Sequence, residues 1–247
     1  MPSSIVETFT LPSSAGILAD FLLHQDIQAH FVGGVIRDSL LKIETDDIDV
    51  AVEGNALIIG KAAASNLKGT YIELDRDRGI CRVVVAGEKG FQADFVSANE
   101  GIKADLTRRD FTINSMAMDI ESVRTCEGKV SFTISNLIDP LNGRSDLNSG
   151  KLRAVSSSSL SDDPVRLMRA VRLSSQYGMR LEDKTYNQIK NIAPQLKGIA
   201  PERIRDEFLK TLSLRGASDS IRLMDKLGLL EQIIPEINQS RGVVQPK

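Results

Sequence analysis

FVGGVIRD, residues 31–38, sets Gly33 and Gly34 between an apolar β-type run and a helical one. Glycines let the backbone approach a ligand closely, and a helix N-terminus offers N–H groups to an anion. Arg37 follows in the first turn, within reach of the same anion; a diglycine turn by itself also serves packing alone. Further on comes DDIDV, residues 46–50, inside a stretch (47–52) that alternates with period two. On a strand Asp47 and Asp49 face one way, while Asp46 and Ile48 face the other. Their Cα atoms then lie about 7 Å apart, and bare carboxylates so placed repel. A hard divalent cation relieves that repulsion, and Mg²⁺ takes a few carboxylates together with substrate phosphates. The plainer alternative is an exposed acidic strand end. Ile48, Val50 and Val52 oppose it, because they give the strand at least one buried face.

Outward from these two segments the first half alternates helical and strand patterns. Residues 16–23 read as a helix, 30–32 as a short strand and 35–41 as a helix. Residues 55–67 have helical spacing with Asn55 at the cap. Three β-rich stretches follow, 70–74, 80–86 and 91–97, the last two joined by a hairpin turn at 87–90. The texture changes at the serine-rich 156–161. Asp162-Asp163-Pro164 then starts a helix with proline at its first position, and the rest reads as helices. One of these opens at Pro201 and carries Ile204, Phe208, Leu209 and Leu212 on one apolar face. The expectation is an α+β chain: a head domain over 1–155 with a small mixed or antiparallel sheet, then an all-helical part over 156–247.

Asp94 offers a third carboxylate, in the strand-like run QADFV (92–96). If its strand neighbours 47–52, three acids cluster as in two-metal centres that activate a hydroxyl and stabilise a leaving pyrophosphate. An ordinary edge-strand acid is the equal alternative. RRDFTINSMAMD, residues 108–119, supplies two arginines, Arg108 and Arg109, that can neutralise a triphosphate. Asp110 and Asn114, four apart, are placed to grip a ribose hydroxyl if the stretch is helical; a solvated basic turn reads as well. Two lookalikes fall away. Residues 54–61 have the wrong glycine spacing and Ala62 where a P-loop needs Ser or Thr. DRDRG at 75–79 lacks the alternating acids and distal Glu of a Ca²⁺ loop.

Composition narrows the chemistry. With 41% apolar and 26% charged side chains over 247 residues, the chain has the make-up of one large domain or two small ones. No apolar run approaches the roughly 20 residues of a membrane span. The start MPSSIVETFT has no signal-peptide pattern, and two cysteines make no disulfide framework; a cytoplasmic address is expected. With only His24 and His30 available, no zinc site of ordinary spacing assembles, and histidine-based catalysis is not expected. A net charge of −2 argues against a large nucleic-acid surface, although 164–180 holds four arginines and no acid.

Taken together, these segments resemble one family. GGVIRD followed by DIDV is similar to the signature of the DNA polymerase β-like nucleotidyltransferases. RRDFTINSMAMD resembles the second motif of the class II tRNA nucleotidyltransferases (CCA-adding enzymes) and bacterial poly(A) polymerases. DPLNGRSDL (139–147) with KLR (151–153) resembles their third, DDPVRLMRAVR (162–172) their fourth, and PERIRDEFL (201–209) their fifth. The resemblance implies a palm-like head followed by a helical neck and the start of a body. It implies template-independent addition of C and/or A from CTP or ATP to tRNA or other RNA 3′ ends by two-metal chemistry with Mg²⁺. Asp47 and Asp49 would hold the metals; Gly33, Gly34, Arg37 and Arg109 the triphosphate; Asp110 the ribose. Asp163 and Arg166 would read the base: a carboxylate accepts from the amine of C or A, and Arg donates to the ring nitrogen beside it. G and U present a carbonyl to Asp163 and are repelled. A simple helix N-cap is the plainer alternative for Asp163. Arg169 and Arg172 either reach phosphates or lie along the helix.

The fourth motif usually begins with Glu, where this chain has Asp162, and family members are commonly longer. The expectation is therefore a fragment or a short relative, with RNA affinity in question. Complete CCA addition, CC- or A-addition alone and poly(A) synthesis all share these motifs. A catalytically silent nucleotide- or RNA-binding module is the reading from another class, and intact Asp47 and Asp49 oppose it. An antibiotic-modifying type of transferase is opposed by the second and fourth motifs.

Overall fold

The computed structural model describes residues 7–25, 27–87, 90–126 and 129–243. The chain forms two compact units. The first runs to Arg109 and resumes over Ile113–Arg144; the second joins Asp110–Thr112 to the residues from Ser145 onward. The compositional change near Ser156 thus lies inside the second unit.

Elements of the first unit run β1 (Thr8–Leu11), α1 (Ser13–His24), β2 (Ala29–Val32), α2 (Gly34–Leu40), β3 (Asp47–Val52) and α3 (Ala56–Asn66). There follow β4 (Thr70–Asp75), β5 (Ile80–Val85), β6 (Phe91–Ser97), α4 (Ile102–Thr107), β7 (Ala117–Asp119), β8 (Arg124–Cys126), β9 (Lys129–Thr133) and β10 (Leu137–Ile138). α5 (Gly143–Asn148) crosses into the second unit. The strands and helices expected from sequence up to residue 97 are all present; the turn expected at 87–90 lies partly outside the described residues. Asn55 caps α3 as its position predicts, its side-chain oxygen accepting from the N–H groups of Leu57 and Ile58, a device worth about 1 kcal/mol.

Among the described residues the main sheet has seven strands in the order β10-β7-β2-β3-β6-β5-β4. β3 and β6 are parallel and the other pairs antiparallel, so the sheet is mixed, as expected. The register sets Val32, Asp49, Asp94 and Arg82 side by side across β2, β3, β6 and β5. Alternation along β3 and its neighbours gives the two faces different duties. One buries Phe31, Ile48, Val50, Phe95 and Cys81, and α3 lies close upon it. Only glycine fits at position 60, because a Cβ there would run into the Cys81 Sγ. On the other face Val32, Ala51 and Ala117 pack with Leu106 of α4. That cover leaves Asp47 exposed at the start of β3. A second sheet, β1-β9-β8, is antiparallel and was not read from sequence.

The second unit continues with β11 (Lys151–Leu152), α6 (Val165–Tyr177), β12 (Arg180–Leu181), α7 (Asp183–Ile192), α8 (Pro201–Leu212), α9 (Ala217–Lys226) and α10 (Leu230–Ile233). It is helical apart from the short parallel pair β11–β12. α6 stops at Gly178, which adopts the left-handed conformation of a helix C-terminus. α8 corrects one expectation. Leu209 and Leu212 are exposed, and the positions α8 buries are Glu207 and Thr211. The inward side of α8 is polar because it meets arginines of α6. No helix among the described residues is long and apolar enough to cross a membrane.

Candidate active site

The acidic end of β3 meets the turn between β2 and α2. Gly33 has φ +70°, where a side chain is strained, and a Cβ there would stand 2.7 Å from Arg109 Nη1 and 2.9 Å from Asp49 Oδ2. Glycine is therefore required twice, for backbone shape and for room between a guanidinium and a carboxylate. The Gly33 N–H is spent on the Met116 carbonyl, so this residue contributes space. The Gly34 N–H donates to Asp49.

Asp49 is half-buried and Asp47 exposed. The Asp49 carboxyl is pushed up to about 6, first by desolvation, against the pull of Arg109, with Asp47 and Asp94 adding repulsion. Burial, more than the neighbouring acids, is what disfavours the charged form of Asp49. Two hard oxygen ligands on one strand face, one of them costly to keep charged without a nearby cation, fit a divalent cation. Asp94 does lie beside Asp49, as the adjacency condition required. Both its oxygens, however, accept from Arg82, Nε at 2.6 Å and Nη2 at 2.7 Å. Among the described residues no group of three or more His, Cys, Asp or Glu is placed to hold a metal ion.

The remaining positions divide between exposed sites and closed networks. Arg109 is held by Asp105 at 2.9 Å, leaving Nη1 over Gly33. Arg37 is buried; its Nε and Nη2 form a two-pronged pair with Asp38, and Nη1 donates to Asn114 Oδ1 at 2.6 Å. Arg37 therefore orients Asn114 from inside the fold. The His24 Nδ1–H donates to the Asp20 carbonyl. Burial lowers the basicity of His30, although Asp119 and Glu53 pull the other way.

In the second unit Asp110 is buried, accepting from its neighbour's N–H at Phe111 and from Arg169 Nη1 at 3.0 Å. Arg169 and Arg172 also converge on Glu207. Burial alone would raise the Glu207 carboxyl, but Arg172 and then Arg169 hold it below its usual range. These two arginines form a partly buried ion-pair network with Asp110 and Glu207. The third motif is likewise structural: Asp139 accepts from the N–H groups of Gly143 and Arg144, while Asp146 binds Thr112 and Arg153.

Asp163 behaves otherwise. The N-cap of α6 is Pro164, and no side chain caps the helix. Asp163 Oδ2 accepts from Arg203 Nη2 at 2.7 Å, whereas Oδ1 is buried with no partner. A buried carboxylate oxygen left without a donor is costly and points to a missing one. Arg166 lies one turn on, with Nη1 on the Ser159 carbonyl. Sequence reasoning missed the partners Arg82, Asp105, Arg203 and Glu207. Strand register and helix packing bring Arg82, Arg203 and Glu207 to their mates, whereas Asp105 stands four residues before Arg109, a local i,i+4 spacing that sequence could have flagged.

A mixed sheet with two aspartates on one strand, facing a glycine turn and an arginine, defines a nucleotidyltransferase-type head. The chain belongs to the poly(A) polymerase head-domain family, whose profile matches residues 29–153; a second profile, described as a probable RNA- and SrmB-binding site of polymerase A, matches 178–240. It is 36% identical over 220 residues to the CC-adding tRNA nucleotidyltransferase of Geobacter sulfurreducens, covering 89% of this chain and 47% of that one. Identity to the A-adding tRNA nucleotidyltransferase of Deinococcus radiodurans is also 36%, over 88% of this chain and 47% of the relative. Among solved structures, the Thermotoga maritima CCA-adding enzyme complexed with tRNA superposes with a TM-score of 0.75 at 28% identity, over 97% of this chain and 58% of that chain. The chain thus spans about half the length of the curated relatives it matches. The resemblance drawn from the five motifs and the α+β fold are both borne out.

Proposed function

We propose that this chain carries out template-independent addition of C and/or A to RNA 3′ ends, with tRNA as acceptor, CTP and ATP as donors and Mg²⁺ as cofactor. The observation that carries the reading is Gly33, wedged between the Asp49 carboxylate and the Arg109 guanidinium. It makes a small space with an acid on one side for a metal and a base on the other for phosphate. Asp47 and Asp49 would hold the cation, Arg109 would face the triphosphate at the Gly33-Gly34 turn, Arg37 would position Asn114, and Asp110 would serve the ribose. A divalent cation so bound supplies acidity to the RNA 3′-hydroxyl and neutralises charge on the departing pyrophosphate.

Base choice would fall to Asp163 and Arg166. The unpartnered Oδ1 of Asp163 would accept from the exocyclic amine of C or A, and Arg166 would donate to the adjacent ring nitrogen. G and U would leave that oxygen facing a carbonyl. Family members named for CC-, A- and full CCA addition resemble this chain to similar extents, so acceptor choice is a matter for assay. Two thiols with no disulfide partner, Cys81 and Cys126, fit a reducing, cytoplasmic setting.

The test is incorporation of labelled CTP and ATP, separately and together, onto tRNAs ending before CCA, after the first C and after CC, with poly(A)-type primers in parallel. Growth of one tRNA class is expected, and the class extended names the specificity. Extension of small alcohols instead, or of no acceptor by a folded chain that binds neither nucleotide, would overturn the reading.

A further inference from the structure

We propose that Arg82 is a positioning residue that withholds the Asp94 carboxylate from the divalent cation of Asp47 and Asp49, so that the centre works with two carboxylates. The inference rests on the metal-centre reading given above. Its basis is a row across three strands: Asp49 on β3, Asp94 opposite it on β6 and Arg82 opposite Asp94 on β5. Side chains directly opposite in neighbouring strands lie on one face within about 5 Å at their Cβ atoms, so geometry alone would make Asp94 a third ligand.

Arg82 prevents this by engaging both Asp94 oxygens at once, at 2.6 and 2.7 Å, in a half-buried pair. Two-pronged, charge-assisted pairs of this kind are short and directional. An oxygen already accepting from a guanidinium is a poorer donor to a small cation that demands near-ideal octahedral geometry. The guanidinium also lies close enough to Asp47 and Asp49 to interact with both charges, and a fixed positive charge there repels an incoming cation. Arg82 thus serves as a built-in counter-charge for the acid row and lowers the affinity for metal. The cation's remaining positions stay open for substrate phosphates, which raises the dependence of metal binding on bound nucleotide.

The experiment is calorimetric titration of Mn²⁺ into the 247-residue protein without nucleotide, for wild type, Arg82→Thr, Asp94→Asn and the double variant, with thermal melts confirming folding. Arg82→Thr should tighten Mn²⁺ about tenfold by freeing a ligand and removing a charge. Asp94→Asn alone should change it by less than about threefold, and in the double variant the gain from freeing the ligand should disappear. If Arg82→Thr fails to fold, Arg82→Gln, which keeps a hydrogen bond without the charge, should show the same direction. Unchanged or weaker binding in a folded Arg82 variant overturns the proposal, as does a tenfold loss in Asp94→Asn. Asp47→Ala/Asp49→Ala separates the two readings: Mn²⁺ binding as tight as wild type would sink the metal centre itself, whereas its loss with no Arg82 effect would sink only the role of Arg82.

Discussion

The acid strand of the first unit and the arginine helix of the second are equally conspicuous in sequence, yet the fold treats them in opposite ways. On β3, burial pushes the Asp49 carboxyl up to about 6 despite the nearby Arg109. On α6, Arg169 and Arg172 are matched by Asp110 and Glu207 inside the unit. The difference is between an acid that burial makes costly to charge, the kind of group we propose a cation would relieve, and arginines whose charge is paired with acids of their own unit. Asp163 belongs with β3 by this criterion, since one of its oxygens is buried and unpartnered.

The contrast can be broken or sharpened by substitution. The largest effect is expected at Glu207. Its replacement by Ala leaves two arginines without their shared acid and should cost about 3–5 kcal/mol in urea unfolding; a loss below 1 kcal/mol would mean the network is not structural. Next comes Gly33→Ala. With φ +70° and a Cβ 2.7 Å from Arg109 Nη1, it should lower nucleotide incorporation about a hundredfold while the fold persists. Retained activity would show that the turn does not shape the site.

Asp49 supplies a pH test. Its folded-state pKa, about 6, exceeds the ordinary 3.8, so the folded protein binds the proton more tightly. Stability of the metal-free protein should therefore fall as pH rises from about 4 to 6. Asp49→Asn should recover most of it at pH 7, about 2–3 kcal/mol. Thermal melts across that range check the sign, and a variant no more stable than wild type at pH 7 would contradict it. The smallest effect is expected at Asp163→Asn, which should lower discrimination against GTP and UTP about tenfold in competition assays. Unchanged discrimination would mean that Asp163 does not read the base.

Much of the fold was legible because period-two runs, Asn55 and Pro164 are local signals. The family was legible from five ordered motifs. Sequence could not say that Asp94 faces Asp49 across a parallel pair, since that depends on register between strands some 45 positions apart in the chain. Nor could it show that Arg37, Arg169 and Arg172 turn inward, because their partners Asn114 and Glu207 come from distant segments. The apolar residues of α8 misled for the same reason: Leu209 and Leu212 form a stripe, but α8 buries Glu207 and Thr211.

The central claim is that Asp47 and Asp49 make a metal-dependent transfer centre. The most direct measurement is incorporation of labelled CTP and ATP onto tRNA as a function of Mg²⁺, for wild type and for Asp47→Ala/Asp49→Ala. The account predicts a saturating Mg²⁺ dependence in wild type and a loss of at least about a thousandfold in the folded variant. Incorporation that survives removal of both aspartates, or that proceeds unchanged in chelator, would contradict it.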